Sequence, residues 1–572
     1  MTAVERPWYN KYPSYIPKQI DYPDVPLTQF LVDSANDFPQ NEAIYFLGKS
    51  ITFKQLLDDV YRFANSLKEL GVKKGDRVGI MLPNSPQAVI AYYATLFVGG
   101  VVVQINPLYV ERELEHQLQD SGTETLVCLD LLYPRVEKVR PGTQLKNLIV
   151  TSVKDYLPFP KNWLYPLTLR KDGIKVNVPK ADNIFSFKSL IQKTLPTPVT
   201  VPYESGNDLA LLQYTGGTTG LAKGAMLSHR NLIVNAIQAA NWLNATDRDG
   251  QSSVVGALPF FHVYGMTVVM NFAMLIGATM LLVPKFDVKE ILDMIEKKRP
   301  TFFPGAPTMY VGLINYPKIK DYDLSSVKAC ISGSAPLPLD VQQKFEEITG
   351  GFLVEGFGMT ETSPVTHCNL IWNRERSGTI GLPWPDTDAR IVDPETKEEL
   401  PIGETGELMV KGPQVMQGYW NRPEDTKKTI NEEGWLSTGD MARTDEDGYF
   451  FIMDRKKDMI IAGGFNIYPR EVEEVLFEHP AIQEAAVVGV PHPYRGETVK
   501  ATIVLKEAEH ITEEELDQFC REKLAKYKVP RIYEFRKELP KTAVGKVLRR
   551  VIQEEAVEQM KNEEKEKEAV AN

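Results

Sequence analysis

The chain has 572 residues, of which 43% are hydrophobic and 25% charged, so its composition is that of a globular protein long enough for more than one domain. Its formal net charge of −11 argues against nonspecific nucleic-acid binding as its main role, because such binding needs a basic face. The four cysteines lie far apart, without CxxC or zinc-site spacing, which indicates reduced thiols and a cytoplasmic location.

The first clear pattern of elements is a β-α-β unit. Residues 76–82 (DRVGIML) predict a buried strand, and residues 101–105 (VVVQI) predict the next one. Between them Ser85 occupies a helix N-cap position, Pro86 occupies the first helical position, and apolar residues continue through Phe97. Because strands and helices alternate in this way, we expect an α/β fold with parallel sheets flanked by helices.

Residues 157–167 (LPFPKNWLYPL) combine aromatic and aliphatic residues with basic ones nearby. This mixture favours contact with a membrane surface, where apolar side chains enter the interface and basic side chains face the headgroups. A loop packed over the protein core is an equally good interpretation, and the sequence leaves both open.

A glycine- and threonine-rich loop follows the apolar segment 209–214 (LALLQY), which predicts a strand. Glycines let backbone N–H groups approach a bulky anion, and hydroxyls and a lysine add further donors, so the loop suits a polyphosphate. It is not the common P-loop, because Lys223 precedes glycine rather than serine or threonine. A plain glycine-rich turn is the alternative. The candidate phosphate-binding residues are Thr215, Gly216, Gly217, Thr218, Thr219, Gly220 and Lys223.

The longest uncharged stretch, residues 254–284, has the length of a membrane span. Pro259, His262, Asn271 and Gly277 interrupt it, however, and its last residues have the pattern of a buried strand. We therefore expect a core helix followed by a core strand rather than a transmembrane helix.

The pattern changes in the C-terminal part of the chain. In residues 446–469 two apolar strands flank the charged cluster 454–458 (DRKKD), which predicts a solvated turn or a linker between domains. A compact α+β pattern follows, in which Thr512 and Glu515 form a capping box at the start of a helix. The tail, residues 552–572, is rich in Glu and Lys and predicts a frayed helix or disorder.

The glycine-rich loop and its continuation resemble those of the adenylate-forming enzymes, which include acyl-CoA synthetases, luciferases and the adenylation domains of peptide synthetases. Further motifs of that superfamily occur in the same order over nearly the whole chain. They are PFFHVYG (259–265), SGSAPLP (332–338), EGFGMTE (355–361), STGD (437–440), DRKKD (454–458) and PKTAVGK (540–546). Residues 432–460 resemble the signature region of fatty acyl-CoA synthetases, most closely that of bacterial long-chain fatty acid–CoA ligases.

This resemblance implies a particular domain organisation. Residues 1–453 would form a large adenylating domain with several sheets, in which parallel sheets flanked by helices accompany a distorted β-barrel. Residues 454–458 would be a hinge, with Lys457 at the hinge position. Residues 459–551 would form a small, mobile α+β domain that carries the catalytic lysine, and residues 552–572 a charged tail.

The resemblance also implies activation of a fatty acid in two half-reactions. A carboxylate attacks the α-phosphate of ATP to give an acyl adenylate and pyrophosphate, and the thiol of coenzyme A then displaces AMP. ATP, coenzyme A and a medium- to long-chain fatty acid would be the substrates and Mg2+ the metal cofactor, with no nucleic-acid partner. A homodimer and peripheral contact with the inner face of the membrane stay open.

For nucleotide binding, the resemblance implies that the loop at 215–220 holds the β- and γ-phosphates and that Glu361 and Thr215 bind Mg2+ through hard oxygen atoms. Asp440 would accept hydrogen bonds from both ribose hydroxyls, and Arg455 would contact the ribose or a phosphate. Two segments would enclose the adenine. Their residues are Gly333, Ser334, Ala335 and Pro336 on one side and Phe357, Gly358, Met359 and Thr360 on the other.

For catalysis, the resemblance assigns the first half-reaction to Lys546, whose ammonium group would bind the substrate carboxylate and the α-phosphate together. His262 would border the acyl site and gate access to it, with a plain core histidine as the alternative. The C-terminal domain would then rotate about Lys457 and bring Gly463 and Gly464 to the site, where they leave room for the pantetheine arm of coenzyme A.

Other functions stay open on the sequence. An acyl-AMP ligase, or an adenylating enzyme with another acid or acceptor, would share these motifs. A non-catalytic binder of fatty acid or nucleotide would share the fold. The presence of Lys546, Glu361 and Asp440 argues against such a binder, because binding alone does not need all three.

Overall fold

The structure is a computed structural model. It describes residues 6–571 except 172, 175, 205, 216–221, 374–375, 463–464, 493, 508 and 543–544. The chain divides into two compact units, which we call the large unit and the small unit. The large unit is Met1–Asp388 with Val410–Leu436, and the small unit is Ala389–Met409 with Ser437–Asn572.

The strands and helices are numbered in chain order. The strands are β1 (Glu42–Phe46), β2 (Lys49–Thr52), β3 (Arg77–Met81), β4 (Val101–Gln104), β5 (Thr125–Leu129), β6 (Asn147–Thr151), β7 (Ile184–Ser186), β8 (Leu209–Thr215), β9 (Lys223–Ser228), β10 (Ser253–Gly256), β11 (Thr279–Leu282), β12 (Ala329–Ser332), β13 (Phe352–Gly358), β14 (Val365–Cys368), β15 (Leu382–Pro383), β16 (Asp388–Val392), β17 (Gly406–Lys411), β18 (Gly418–Tyr419), β19 (Leu436–Thr444), β20 (Phe450–Arg455), β21 (Ile460–Ala462), β22 (Phe465–Ile467), β23 (Ile482–His492), β24 (Gly496–Leu505) and β25 (Ile532–Arg536). The helices are α1 (Gln29–Asp37), α2 (Phe53–Glu69), α3 (Pro86–Phe97), α4 (Glu111–Ser121), α5 (Tyr133–Val139), α6 (Lys161–Lys171), α7 (Phe187–Lys193), α8 (His229–Trp242), α9 (Val263–Gly265), α10 (Phe272–Ile276), α11 (Val288–Lys298), α12 (Pro307–Ile314), α13 (Leu339–Thr349), α14 (Pro423–Thr429), α15 (Pro469–Phe477), α16 (Glu513–Lys523) and α17 (Arg549–Ala571).

An eight-stranded sheet in the large unit carries the glycine-rich loop. Its strand order is β18-β9-β8-β4-β3-β5-β6-β7, and the strands from β8 to β7 in this order run parallel. The predicted β-α-β unit is β3, α3 and β4, with Pro86 as the first residue of α3. The Ser85 hydroxyl caps that helix by accepting a hydrogen bond from the Ala88 N–H, at 3.4 Å. The local sequence signals therefore predicted this unit correctly.

Two further sheets of the large unit have the strand orders β10-β11-β1-β2 and β12-β13-β14-β15. The uncharged stretch runs through β10, α9, a π-helix at Met266–Asn271, α10 and β11, and it is almost entirely buried. The prediction of a core helix followed by a core strand is confirmed. Among the residues that the structure describes, no helix has the length and apolar character to cross a membrane.

The small unit is built from two sheets and the helices packed on them. One sheet has the order β16-β17-β19-β20, and the other has β22-β21-β24-β23 with β25 paired to β24. The predicted capping box begins α16, since the Thr512 hydroxyl accepts from the Glu515 N–H while the Glu515 carboxylate accepts from the Thr512 N–H. The tail lies in α17, so the helical interpretation of it is the one found.

The fold is therefore α/β, with a large N-terminal part of several sheets and a small C-terminal part. This confirms the predicted fold class. The hinge bounds expected at 453 and 458, and the start of the tail expected after 551, stay predictions.

The four cysteines are buried in these cores. Cys128, Cys330, Cys368 and Cys520 are free thiols, and burial raises the pKa of each of them above its usual value. Each behaves as a small apolar core residue, as the sequence predicted.

Candidate functional site

Strands β8 and β9 hold the two ends of the glycine-rich loop. Thr215, the last residue of β8, is the antiparallel partner of Lys223, the first residue of β9. Gly224 fits closely beside them, because a Cβ atom there would lie 3.1 Å from the ring of Tyr214. The predicted phosphate-binding residues Gly216, Gly217, Thr218, Thr219 and Gly220 lie outside the described residues.

Lys223 is held in place at the end of this loop. Its ammonium nitrogen lies 3.0 Å from a carboxylate oxygen of Asp425 and 5.2 Å from the centroid of the Tyr419 ring. The ion pair lowers the pKa of the Asp425 carboxyl below its usual value. The ammonium group of Lys223 is therefore held near the end of the predicted phosphate-binding loop, where it pairs with Asp425.

Glu361 lies in a short helical turn, Thr360–Thr362, between β13 and β14. The carboxylate is buried, and its Oε1 atom accepts a hydrogen bond of 2.7 Å from the hydroxyl of Tyr419. Burial, and then the charge of Glu361, raise the pKa of Tyr419 above its usual value, so this hydroxyl stays protonated as a donor. The Met416 N–H donates to the Glu361 carbonyl, at 2.8 Å.

The oxygen atoms of Glu361 and Thr215 are suitable ligands for a Mg2+ ion that is bound together with a polyphosphate. A carboxylate from Glu361 and a hydroxyl from Thr215 are hard oxygen ligands, and Mg2+ is usually bound by one or two carboxylates plus phosphate oxygens. Strands β8 and β9 lie beside the turn that carries Glu361. In the part of the chain that the structure describes, no three His, Cys, Asp or Glu side chains gather as a closed metal cage.

The two predicted adenine segments follow β12 and end β13. Gly358 is needed for the fold itself, because a Cβ atom there would lie 2.1 Å from the carbonyl oxygen of Pro364. A Cβ atom at Gly333 would lie 3.0 Å from the ring of Tyr264, which belongs to the PFFHVYG motif. Close packing, against a ring at Gly333 and against backbone at Gly358, therefore accounts for a glycine at both positions besides the expected room for adenine. The roles of these two residues and of Ser334, Ala335, Pro336, Phe357, Met359 and Thr360 in adenine binding stay predictions.

His262 has a local structural role. It is half-buried at the N-cap of α9, and its Nδ1 atom accepts a hydrogen bond of 3.3 Å from the Tyr264 N–H. The hydroxyl of Tyr264 in turn donates to the carbonyl of Ile331 at 2.8 Å, which joins the PFFHVYG motif to β12. Capping accounts for a histidine at this position, and the gating role stays a prediction.

In the small unit, Asp440 and Arg455 face each other on paired strands. They are register partners on β19 and β20, and the Arg455 Nε atom lies 3.4 Å from Asp440 Oδ1. Burial raises the pKa of Asp440, while the positive charges of Arg455 and Lys546 act in the opposite direction. A carboxylate and a guanidinium in this arrangement can bind a diol and a phosphate side by side.

Lys546 closes a tight loop near Asp440 and Arg455. The Thr542 hydroxyl accepts from the Lys546 N–H at 3.1 Å, the Thr542 N–H donates to the Lys546 carbonyl at 2.8 Å, and Gly545 adopts a φ of +77°. Burial, together with the positive charge of Arg455, lowers the pKa of the Lys546 ammonium to about 7, against the opposing effect of Asp440. A bound anion next to Lys546 would therefore stabilise the charged form of its side chain.

The charged cluster 454–458 is only partly a solvated turn. Lys456 and Lys457 are exposed, but Asp454 is buried and accepts hydrogen bonds from the Arg470 N–H at 2.6 Å and from Arg549 Nη1 at 3.1 Å. The sequence pattern did not predict this, because Arg549 is 95 residues away in the chain. The predicted pantetheine-facing residues Gly463 and Gly464 lie outside the described residues.

Each unit therefore collects its own group of predicted residues. In the large unit Lys223 and Glu361 both contact Tyr419, and in the small unit Asp440, Arg455 and Lys546 lie close together. Tyr419 and Asp425 were not predicted. The only local signal is Pro423, which is typical of a helix start and would place Asp425 in a first helical turn.

The sequence matches two family domains that together span most of the chain. Residues 31–420 match the family described as AMP-binding enzyme, and residues 471–546 match the AMP-binding enzyme C-terminal domain. The chain belongs to the family of AMP-binding enzymes.

Two named relatives indicate which kind of AMP-binding enzyme the chain is similar to. The chain is 54% identical over 555 residues to the long-chain-fatty-acid–CoA ligase of Bacillus subtilis strain 168, covering 97% of this chain and 99% of that protein. It is 41% identical to a ligase of the same name from Escherichia coli O6:H1, with the same coverage.

Solved structures agree in fold. The ATP-bound MatB of Rhodopseudomonas palustris has a TM-score of 0.80 at 32% identity, covering 93% of this chain and 99% of that one. The anthranilate CoA ligase AuaEII in complex with anthranoyl-AMP has a TM-score of 0.83 at 28% identity, covering 95% and 98%.

Proposed function

We propose that the protein is an ATP-dependent fatty acid–CoA ligase, which converts a medium- to long-chain fatty acid to its coenzyme A thioester with release of AMP and pyrophosphate. The observation that carries the proposal is the 54% identity, over 97% of this chain, to a long-chain-fatty-acid–CoA ligase. The grouping of Asp440, Arg455 and Lys546, and the buried carboxylate of Glu361, support it.

In the first half-reaction, a carboxylate oxygen of the fatty acid forms a bond to the α-phosphorus of ATP, and the bond from that phosphorus to the bridging oxygen of pyrophosphate breaks. No protein nucleophile is needed, so the work of the chain is to position two anions and to neutralise their charge. The 215–220 loop and Lys223 would hold the leaving phosphates. Mg2+, held by Glu361 and Thr215, would supply further neutralisation of the phosphate charge.

The small unit would serve the α-phosphate and the second half-reaction. Lys546 would bind the carboxylate and the α-phosphate together, and Asp440 and Arg455 would hold the ribose. In the second half-reaction the sulfur of coenzyme A attacks the acyl carbon and AMP leaves. A rotation about Lys457, which would bring Gly463 and Gly464 to the thiol, belongs to this proposal.

Product analysis tests the proposed function. Purified protein is incubated with MgATP, coenzyme A and a series of fatty acids from acetate to oleate, and the products are identified by mass spectrometry. We expect acyl-CoA, AMP and pyrophosphate with the medium- and long-chain acids. Acyl-AMP without thioester would instead favour a different acceptor, and the absence of any acyl product from folded protein would favour a non-catalytic binder.

The lowered pKa of Lys546 predicts that the protein takes up a proton when it binds ATP. With a pKa of about 7, most of the Lys546 side chains are neutral at pH 8, whereas a bound anion favours the ammonium form. ATP binding at pH 8 should therefore take up about one proton, and at pH 6, where the lysine is already charged, it should take up almost none. Calorimetry of ATP binding in buffers of different ionisation enthalpy measures this uptake.

Two variants control for other titrating groups. Lys546→Met should abolish the uptake at pH 8. Lys523→Met, in the same unit, removes a lysine paired with Glu478 at the surface and should leave the uptake unchanged. Equal uptake in the wild type and Lys546→Met would contradict the assignment.

We also propose peripheral contact with a membrane through the region of α6. No residue of this helix is buried, which supports the membrane-contact interpretation over that of a loop packed over the core. Three apolar side chains in the helix or just before it are exposed, Phe159 by 84%, Trp163 by 72% and Leu167 by 47%, whereas Leu157 is buried. Lys161 and Arg170 are exposed on the same helix. An exposed apolar surface with basic neighbours favours an anionic bilayer, at the inner face of the membrane.

Vesicle binding tests this contact. The double variant Phe159→Ser/Trp163→Ser should weaken partitioning to phosphatidylglycerol-containing vesicles on the order of tenfold, because two aromatic side chains no longer leave water. The matched control is Leu195→Ser/Leu339→Ser, which replaces two other apolar residues that are 74% and 50% exposed. Equal partitioning of the wild type and both variants in a cosedimentation assay would contradict the proposal.

The sequence left open whether the protein is a homodimer. Sedimentation equilibrium of the purified protein decides between a monomer and a homodimer.

A further inference from the structure

The side chain of Tyr419 contacts two of the groups assigned to the nucleotide. Its hydroxyl donates to Glu361 Oε1 at 2.7 Å, and its ring centroid lies 5.2 Å from the ammonium nitrogen of Lys223. Glu361 is 58 residues away in the chain, so this arrangement is made by the tertiary fold. One rigid aromatic ring therefore joins the proposed metal ligand to the proposed phosphate-binding lysine.

Two backbone interactions hold Tyr419 itself, and the glycine before it packs closely. In β18 it is the antiparallel partner of Ala225 on β9, and its N–H donates to the hydroxyl of Thr426 on α14 at 2.9 Å. The preceding Gly418 has a φ of +142°, and a Cβ atom there would lie 2.7 Å from the Thr426 side chain. The tyrosine is thus fixed to the strand that begins with Lys223 and to the helix that carries Asp425.

From this geometry we infer that Tyr419 is a positioning residue for Mg2+ binding. Its hydroxyl fixes the carboxylate of Glu361 in one orientation, and its ring fixes Lys223 beside it. The inference rests on the proposed function, in which Glu361 binds the metal of MgATP. Nothing in the resemblance or in the motifs had pointed to this residue.

The expected size of the effect follows from the chemistry of metal ligands. A carboxylate that is free to rotate loses orientational freedom when it binds a metal ion, whereas one already held by a hydrogen bond does not. Loss of such an outer hydrogen bond commonly lowers metal affinity about 10- to 100-fold. The contact with Lys223 acts on the phosphates instead, so the two contributions of Tyr419 can be separated by the choice of substitution.

Calorimetric binding of MgATP, and of ATP in the presence of EDTA, provides that separation without any turnover. Tyr419→Phe removes the hydroxyl and keeps the ring, so the dissociation constant of MgATP should rise about tenfold while that of metal-free ATP stays the same. Tyr419→Leu removes both and should weaken metal-free ATP as well. The matched control is Tyr156→Phe, since Tyr156 and Tyr419 are both 8% exposed and the Tyr156 hydroxyl also donates to a carboxylate, that of Asp59, at 3.3 Å.

A double-mutant cycle with Glu361→Gln keeps the inference falsifiable. In the Glu361→Gln background, Tyr419→Phe should cause no further loss of MgATP affinity. An equal weakening of MgATP and metal-free ATP by Tyr419→Phe, or no weakening of either, would overturn the inference, and so would fully additive effects in the cycle. A wild-type protein that binds MgATP with the expected metal dependence but forms no acyl product would instead contradict the proposed function and leave the role of Tyr419 standing.

Discussion

Replacement of Lys546 by alanine should lower the rate of acyl-adenylate formation by roughly a hundredfold to a thousandfold, which is the usual effect of removing one group that stabilises developing charge. The same variant should still transfer the acyl group from preformed acyl-AMP to coenzyme A at close to the wild-type rate. The two rates are measured separately, by fatty-acid-dependent pyrophosphate release without coenzyme A and by thioester formation from synthetic acyl-AMP.

The position of Lys546 is the physical reason for this separation. Lys546 is half-buried near the charges of Arg455 and Asp440. Burial, and then the charge of Arg455, lower the pKa of its ammonium group to about 7, so the charged form is unfavourable there until an anion arrives. Two anions meet only in the first half-reaction. In the second, a neutral acyl carbon is attacked and the α-phosphate has already been joined to the acyl group.

Lys523→Ala is the matched control for this experiment. It removes a lysine of the same unit whose partner, Glu478, is at the surface, and both rates should stay unchanged. An equal loss of both half-reactions in Lys546→Ala would contradict the assigned role, because it would indicate a general structural defect.

Replacement of Arg549 by methionine should destabilise the small unit by about 3 kcal/mol, the lower end of the range for breaking a buried ion pair. The Arg549 guanidinium lies 3.1 Å from Asp454 and 2.5 Å from Glu473, and the side chains of these two acids are only 1% and 11% exposed. Methionine fills a similar volume but leaves both carboxylates buried without their cation. Loss of hydrogen-exchange protection in β23 and β24 measures the destabilisation of the small unit.

Arg521→Met provides the comparison for Arg549. Arg521 pairs with Asp517 one turn away on the exposed face of α16, where solvent weakens the interaction, so its loss should leave protection nearly unchanged. Similar protection in the wild type and Arg549→Met would show that the buried carboxylates take up protons or find other donors at no measurable cost.

The sequence predicted correctly those structural features that depend only on residues close together in the chain. The cap at Ser85, the capping box at Thr512 and the strand predicted at 209–214 depend on residues within a few positions, and the structure confirms all three, with the strand one residue longer. The alternation of strands and helices likewise predicted the parallel sheet, because each β-α-β unit is a local pattern.

Contacts between distant residues were beyond that kind of inference. The charge pattern of residues 454–458 predicted a solvated turn or a linker, yet Asp454 is buried because Arg549, far along the chain, neutralises it. The site likewise depends on Tyr419, which no motif indicated and which reaches Glu361 only through the pairing of β18 with β9. Gly358 was expected to make room for adenine, whereas packing against Pro364 already demands a glycine there.

The burial of all four cysteines has a practical consequence for the chemistry of coenzyme A. The thiolate is the nucleophile that attacks a thiol reagent, and burial keeps these four groups protonated and out of contact with solvent. A solution of the folded protein should therefore react with a disulfide reagent as though it contained no cysteine. Consumption of the coenzyme A thiol can then be followed directly in the presence of the enzyme, and a slow rise in reactive thiol during storage would report unfolding.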